Sequence, residues 1–231
     1  MPNQETSAKR KKTGKPQRRP GRPRASDSSL QEDPRSRLEK VAIQVFSQHG
    51  YDAVSTGEVA RAAGLSQPLV HYHFGSKEQL WKAAMTLLMR DLGARFPVNM
   101  GELKDLGPVE RLKVITRRFI TMSSSDPTLA RIMMHESLAR SDRLSWLVEH
   151  FLKRAYAEFD EAIRAGIDQG LIRDIPLYAV ANIIVNASSF IFACDALIDQ
   201  IYGVDVTGPD RVDELSDAIM DILFRGLLSP T

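Results

Sequence analysis

Residues 55–80 read STGEVARAAGLSQPLVHYHFGSKEQL, and the spacing of caps, small residues and apolar residues in this stretch decides the fold. Ser55 and Glu58 stand in the S-x-x-E arrangement of a capping box, in which the serine oxygen accepts from the Glu58 amide and the glutamate reaches back to the serine amide. Val59, Ala60 and Ala63 then form a short buried face, and Gly64 suits the residue that ends a helix. The spacing predicts a helix over 56–63. Ser66 can cap a second one, with Pro68 in its first turn, where a missing N–H costs nothing, giving a helix over 67–73. Two short helices joined by a tight glycine turn make a helix-turn-helix.

The second helix sets His71 and His73 either side of Tyr72. Two positions apart is about 200° around a helix, so the histidines cannot chelate one metal from one face. No HExxH and no further cysteine or carboxylate ligand completes a site, so no metal is expected. Phe74 is expected in the core, sealing the motif onto the helix before it. That helix begins at Asp33-Pro34, with proline in the first turn, and carries Leu38, Val41, Ala42, Val45 and Phe46 at helical spacing up to Gly50. It is expected over 34–49.

From this first helix to Trp81 the small, apolar and aromatic positions resemble the N-terminal DNA-binding domain of the tetracycline-repressor (TetR) family of bacterial transcription regulators, including the closing aromatics and the Ser76-Lys77-Glu78 that opens a fourth helix. The resemblance implies an all-α protein: a three-helix DNA-binding domain with a helix-turn-helix, then a helical-bundle domain for ligand binding and dimerisation. It implies that Gln67, Pro68, Leu69, His71, Tyr72 and His73 face the major groove or its flanking phosphates, and that Thr56 and Lys77 meet backbone phosphates. The chemistry agrees, since Gln67 can be bidentate to adenine, Leu69 can pack on a thymine methyl and Tyr72 can donate to phosphate from a stiff ring. Ser76 and Lys77 put a cap and a cation at a helix amino end, which favours an anion there. Two positions depart from the family pattern. Gly57 stands where relatives place a polar or basic residue, and Leu69 where a small polar residue is common.

Upstream, residues 1–26 hold nine Lys and Arg against Glu5 alone, a balance of +8, while the remaining 205 residues carry −6. With no large apolar residue between Met1 and Leu30, the segment 1–32 cannot offset its ordering entropy by burial and reads as a disordered tail for a polyanion. Within it, Arg18-Arg19-Pro20-Gly21-Arg22-Pro23-Arg24 resembles an AT-hook core, which would lay Arg22 and Arg24 in an A·T-rich minor groove. A plain phosphate-binding tail is the competing reading, and both point to nucleic acid.

Downstream of the domain at 33–81, helical periodicity continues through 82–231, punctuated at Pro97, Gly107-Pro108, Asp126-Pro127, Ser141-Asp142, Gly170, Pro176 and Gly208-Pro209. Helices are expected over 77–95, 108–123, 127–139, 142–168, 176–202 and 209–228. In 176–202, Val180, Ile184, Ala187, Ile191, Cys194, Ile198 and Ile201 step alternately by four and three, a seam suited to a partner helix, and Ile183, Phe190 and Leu197 form a second stripe. With Leu215, Ile219 and Leu223 of the last helix, Ile184, Ile191 and Ile198 are the expected interface of a homodimer; the competing reading is that both stripes serve only the intrachain core. Polar and aromatic residues on otherwise buried helices are the expected lining of an effector pocket: Arg117, Arg118, His135, Glu136, Trp146, Tyr156, Asn182, Asn186 and Ser189.

Composition bounds the function. At 231 residues and 43% hydrophobic residues the chain can bury a sizeable core. The single Cys194 precludes an internal disulfide, and no apolar run reaches the ~18 residues of a membrane span, so a cytoplasmic location away from any membrane is expected. There is no nucleophile elbow, phosphate-binding glycine loop or metal set, so neither enzyme activity nor a cofactor is expected. The reading is a regulator that binds double-stranded DNA, a repressor released from a palindromic operator by a small-molecule effector. The alternative is an architectural DNA-binding protein without an effector, in which the C-terminal domain would have a solid core.

Overall fold

The computed structural model describes residues 32–95, 103 and 105–229; the basic tail, and with it Arg22 and Arg24, lies outside the described residues. The order is α1 (Pro34–Ala53), α2 (Thr56–Ala62), α3 (Gln67–Phe74), α4 (Lys77–Arg95), α5 (Pro108–Ser125), α6 (Thr128–Ala139), α7 (Asp142–Leu147), a π-helical turn (Val148–Leu152), α8 (Lys153–Asp168), α9 (Leu177–Ala193), α10 (Asp195–Tyr202) and α11 (Pro209–Leu227). The fold is all-α; one isolated antiparallel bridge, Ile172 to Leu228, joins the α8–α9 connection to the end of α11.

The expected caps form. The Asp33 carboxylate accepts from the Ser36 amide at 3.3 Å, and the Ser55 hydroxyl and Glu58 carboxylate close their reciprocal box at 3.2 and 2.6 Å. Those two bonds to Ser55 hold the Glu58 carboxyl below its ordinary pKa. Helices α1 to α4 share one core, in which Leu38, Phe46, Val59, Val70, Leu80 and Trp81 are buried together, and this core runs on into Ile132 of α6 and Leu147 of α7. A second core joins α5, α8, α9 and α11 around Leu112, Ile163, Ile184 and Phe224, and a third gathers Ile120, Phe192, Val206 and Ile219. Among the described residues no single helix is long and apolar enough to cross a membrane.

Three helices differ from expectation. The first runs on to Ala53 through Gly50, whose φ of 74° and ψ of 164° are non-helical. The helix expected over 142–168 is interrupted by the π-helical turn. The helix expected over 176–202 breaks at Cys194 and bends by 68°. Arg131 of α6 holds that break from outside: its Nε donates to the Ala193 carbonyl at 3.3 Å and its guanidinium pairs with Asp195 at 3.0 Å. A carbonyl released from the helix ladder thus finds a donor, and the charge in the first turn of α10 finds a cation. Local periodicity carried no sign of this, because the partner is over sixty positions away.

The expected dimer seam is also corrected. Ile184 is 1% exposed inside the second core, and Ile219 is buried in the third, where Ile191, Ile198, Leu215 and Leu223 pack half-buried against it. The seam from Val180 to Ile198 faces into its own protomer, while Ile201 at its end is exposed. The second stripe is the one left outside: Ile183 is 57%, Phe190 48% and Leu197 59% exposed, in company with Ile201 and Ile222.

Gly50 sets a local constraint that can be measured. An added Cβ would stand 2.9 Å from His135 Nδ1 of α6, and its backbone occupies a region that is essentially glycine-only. Gly50→Ala is expected to destabilise the chain by about 1–3 kcal/mol from backbone strain, with further loss from displacing His135, read as a lower denaturation midpoint in urea.

Candidate functional site

Helix α3 has only eight residues and buries two of them, Val70 and Phe74, one turn apart. That single line of contact fixes the helix on the core and leaves the rest of its surface outward. Gln67, Pro68 and His71 are exposed, Tyr72 is 82% exposed, and Leu69 and His73 are half-buried. The Tyr72 and His73 rings meet edge to face at 5.0 Å, which restrains both. His71 closes the helix end, with Nδ1 3.3 Å from the Gly75 carbonyl; a carbonyl only accepts, so this contact requires the ring proton on Nδ1.

Thr56 and Gln67, separately expected at DNA, hold each other: the Gln67 amide donates to the Thr56 hydroxyl at 3.2 Å. Thr56 accepts in that bond and keeps its own proton for an outside acceptor. Gly57 lies beside this pair: a Cβ there would be in ordinary contact with the Gln67 side-chain oxygen at 3.4 Å.

A groove of about 570 Å³ runs beside α3 between the end of α1, the start of α2 and the start of α4, lined by Asp52, Ser55, Thr56, His71, Ser76 and Lys77 among others. Ser76 caps α4, accepting from the Gln79 amide at 3.2 Å. The Lys77 ammonium lies 4.1 Å from the centre of the Tyr51 ring, and burial lowers its pKa from the ordinary lysine value, with Arg143 adding to the effect and Asp52 opposing it. A cation beside the amino end of α4 makes this groove suited to an anion.

Tyr51 connects this groove to the body of the protein. The Arg143 guanidinium of α7 stands 3.6 Å from the centre of the same ring, and its Nε donates to both carboxylate oxygens of Glu136 at 3.2 and 3.1 Å. Glu136 is 2% exposed and also accepts from the Ser141 hydroxyl. Burial raises the Tyr51 phenol above its ordinary pKa, with Arg143 opposing. Trp146 stacks on His150 at 4.7 Å and meets Trp81 at 5.8 Å in the same region. Expected lining of an effector pocket is thus partly corrected: His135, Glu136 and Trp146 belong to the joint between α1, α4, α6 and α7. Arg117 is exposed and pairs with Asp217 of α11 at 2.8 Å.

The other expected residues do converge. A cavity of about 580 Å³ enclosed by α4, α5, α6, α8 and α9 is lined by Tyr156, Asn182, Asn186 and Ser189 together with Arg118. Most of its wall is apolar, including Met89, Phe119, Met122, Met133 and Phe159. Sequence reasoning passed over those residues because methionine and phenylalanine at helical spacing look the same facing a cavity as facing a solid core. Asn182, Asn186 and Ser189 each donate to the carbonyl four positions earlier, at 2.7 to 2.8 Å, which leaves their side-chain oxygens as acceptors for a guest. Burial raises the pKa of both Tyr156 and Glu158 in this wall.

Comparison with known proteins agrees with this geometry. Residues 39–84 match the family of bacterial regulatory proteins, tetR family, and residues 108–223 match the tetracyclin repressor-like C-terminal domain. The chain is 28% identical over 170 residues to the HTH-type transcriptional regulator BetI of Agrobacterium fabrum, covering 73% of this chain and 74% of that protein. It is 22% identical over 164 residues to the nucleoid occlusion factor SlmA of Escherichia coli, covering 71% and 79%. Among solved structures, AibR in complex with isovaleryl coenzyme A and operator DNA matches with a TM-score of 0.66 at 21% identity, over 83% of this chain and 98% of that one. The ketosteroid regulator KstR2 of Mycobacterium tuberculosis matches with a TM-score of 0.64 at 20% identity, over 87% and 98%. At these identities the solved structures speak for the fold.

The Glu136–Arg143 pair gives a direct test of the joint. Removing the carboxylate leaves a mostly buried guanidinium without its partner, so Glu136→Ala is expected to cost about 3–5 kcal/mol by urea denaturation, while Glu136→Leu combined with Arg143→Met recovers much of that loss.

Proposed function

The chain belongs to the tetR family of bacterial regulatory proteins, and on that premise we propose that it is a homodimeric transcriptional repressor that binds a palindromic operator through α3 and is released by a small apolar effector. The observation that carries this reading is the division of α3 into a two-residue anchor and an outward face, Gln67 to Tyr72, beside a cation-bearing groove. Residues 33–81 act as the DNA-binding head and 82–231 as the regulatory and dimerisation part. In the bound state Lys77 and Thr56 take phosphates, Tyr72 reaches the backbone, and Gln67 exchanges its bond to Thr56 for a base edge. The tail residues Arg22 and Arg24 add phosphate or minor-groove contacts outside the helix-turn-helix.

The cavity favours a regulator over an architectural protein. At about 580 Å³ it has the size of a small-molecule site, and its apolar wall with a few polar groups is the usual composition of one. That a protein of the same fold binds isovaleryl coenzyme A together with operator DNA supports an effector here. The resemblance to a nucleoid occlusion factor is the main support for the architectural alternative, which has no use for the cavity.

Dimerisation is assigned to the exposed stripe of α9 and α10. Ile183 and Leu197 are exposed, at 57% and 59%, among the described residues. Ile183→Asp with Leu197→Asp is expected to give a folded monomer by sedimentation, whereas Ile184→Asp, which buries an unpaired charge in the protomer core, unfolds the chain. A dimer surviving the first pair would move the interface elsewhere.

Operator binding has its own test. Tyr72→Ala with Lys77→Ala is expected to weaken binding by about 2 kcal/mol or more and to make the salt dependence about one unit shallower, with the dimer intact, measured by fluorescence anisotropy at several salt concentrations.

A further inference from the structure

Helix α5 has a second functional face. Ile115, Phe119 and Met122 line the effector cavity, but Lys113 and Arg117 line a separate groove of about 820 Å³ between α5 and α11. Arg173 and Arg225 bring its cations to four, against Asp221 as the single acid in the lining. Its floor is apolar, made by Met220 and Phe224. The four cations are not equally occupied. Arg117 holds Asp217 at 2.8 Å and Arg225 holds Asp221 at 2.6 Å, whereas Arg173 donates to the Gly226 carbonyl at 2.9 Å. Lys113 stands 5.7 Å from the centre of the Phe224 ring and forms no ion pair among the described residues.

From this arrangement we propose a second ligand site, for an amphipathic carboxylate: an apolar chain or ring carrying one anionic head. Two of the cations, Lys113 and Arg173, have no carboxylate partner among the described residues and so offer charge to an anionic head. The ion pairs at Arg117 and Arg225 are exposed, so they open readily, and they show that these guanidiniums can take a carboxylate at hydrogen-bonding distance. Met220 and Phe224 supply a surface for the apolar body that an inorganic anion would leave unused. The volume falls in the range of small-molecule sites. No residue of α9 or α10 lines the groove. Because α5 is a wall of both sites, a guest in the groove bears on the same helix that encloses the effector.

Methionine methyl resonances separate the two sites, since Met220 reports the groove and Met122 and Met133 report the cavity. In the full chain labelled at methionine methyls, octanoate is expected to shift Met220 saturably, and Lys113→Gln to weaken that response about tenfold, the loss of one charge-assisted contact. If circular dichroism shows Lys113→Gln unfolded, Arg225→Gln carries the same test. Octylamine and acetate are expected to leave Met220 unmoved at the same concentrations. The site is overturned if octanoate moves only Met122 and Met133, if octylamine binds as well as octanoate, if acetate moves Met220 equally, or if the folded variant binds unchanged. None of these outcomes bears on operator binding through α3, which the anisotropy measurement judges by itself.

Discussion

The joint between the helix-turn-helix and the rest of the chain is built on one buried charge. Glu136 is enclosed by α1 and α7, and a carboxylate so enclosed is tolerated only with its lone pairs satisfied. Arg143 and Ser141 satisfy them, and Arg143, once there, has its guanidinium plane against the Tyr51 ring. Tyr51 in turn carries the Lys77 ammonium. Guanidinium stacking and ammonium contact both draw on the negative face of an aromatic ring, and both gain from partial removal of water. A chain of contacts therefore runs from a buried acid in α6 to the residue that opens α4 at the groove beside α3, and each member is held by the one before it.

The same helices reach the cavity between α4, α5, α6, α8 and α9 at their other faces. Helix α6 turns His135 and Glu136 toward α1 but Leu129 and Met133 toward the cavity, and α4 has Trp81 in the joint and Met89 and Leu92 in the cavity wall. The π-helical turn lies where the chain passes from one to the other, with Trp146 and His150 stacked on the joint side and Leu152 in the cavity wall. π-bulges are common at functional sites because the extra residue shifts a helix face without ending the helix. Close packing ties these helices together, with Arg143 of α7 bound to Glu136 of α6 and set on the Tyr51 ring of α1, which also carries Lys77.

Two sites that use charge differently sit on this frame. Around α3 the groups that can meet an anion are partly engaged with each other, Thr56 with Gln67 and Lys77 with Tyr51, which holds them in place before any partner arrives. Preorganisation of that kind lowers the ordering cost of binding. In the groove between α5 and α11 two of the four cations, Arg117 and Arg225, are instead paired with exposed acids, contacts that water and salt screen.

The sequence by itself determined the helix-turn-helix, because everything that defines it is local. A capping box, a glycine at φ of 65°, a proline in a first turn and apolar residues one turn apart each act within a few positions, and Ser55, Gly64, Pro68, Val70 and Phe74 all take the expected places. The outward residues of α3 followed instead from the resemblance of the motif to its family, position by position. What only the tertiary structure decided depends on partners distant in the chain. Arg131 holds the break between α9 and α10 from more than sixty positions away, Arg143 holds Glu136 in the joint, and Trp146 packs there against Trp81. The two apolar stripes of 176–202 are equivalent on a helical wheel. Packing against α5, α8 and α11 buried the one containing Ile184 and left the one containing Ile183 outside, because burial is a property of what lies opposite a residue, which spacing alone does not contain.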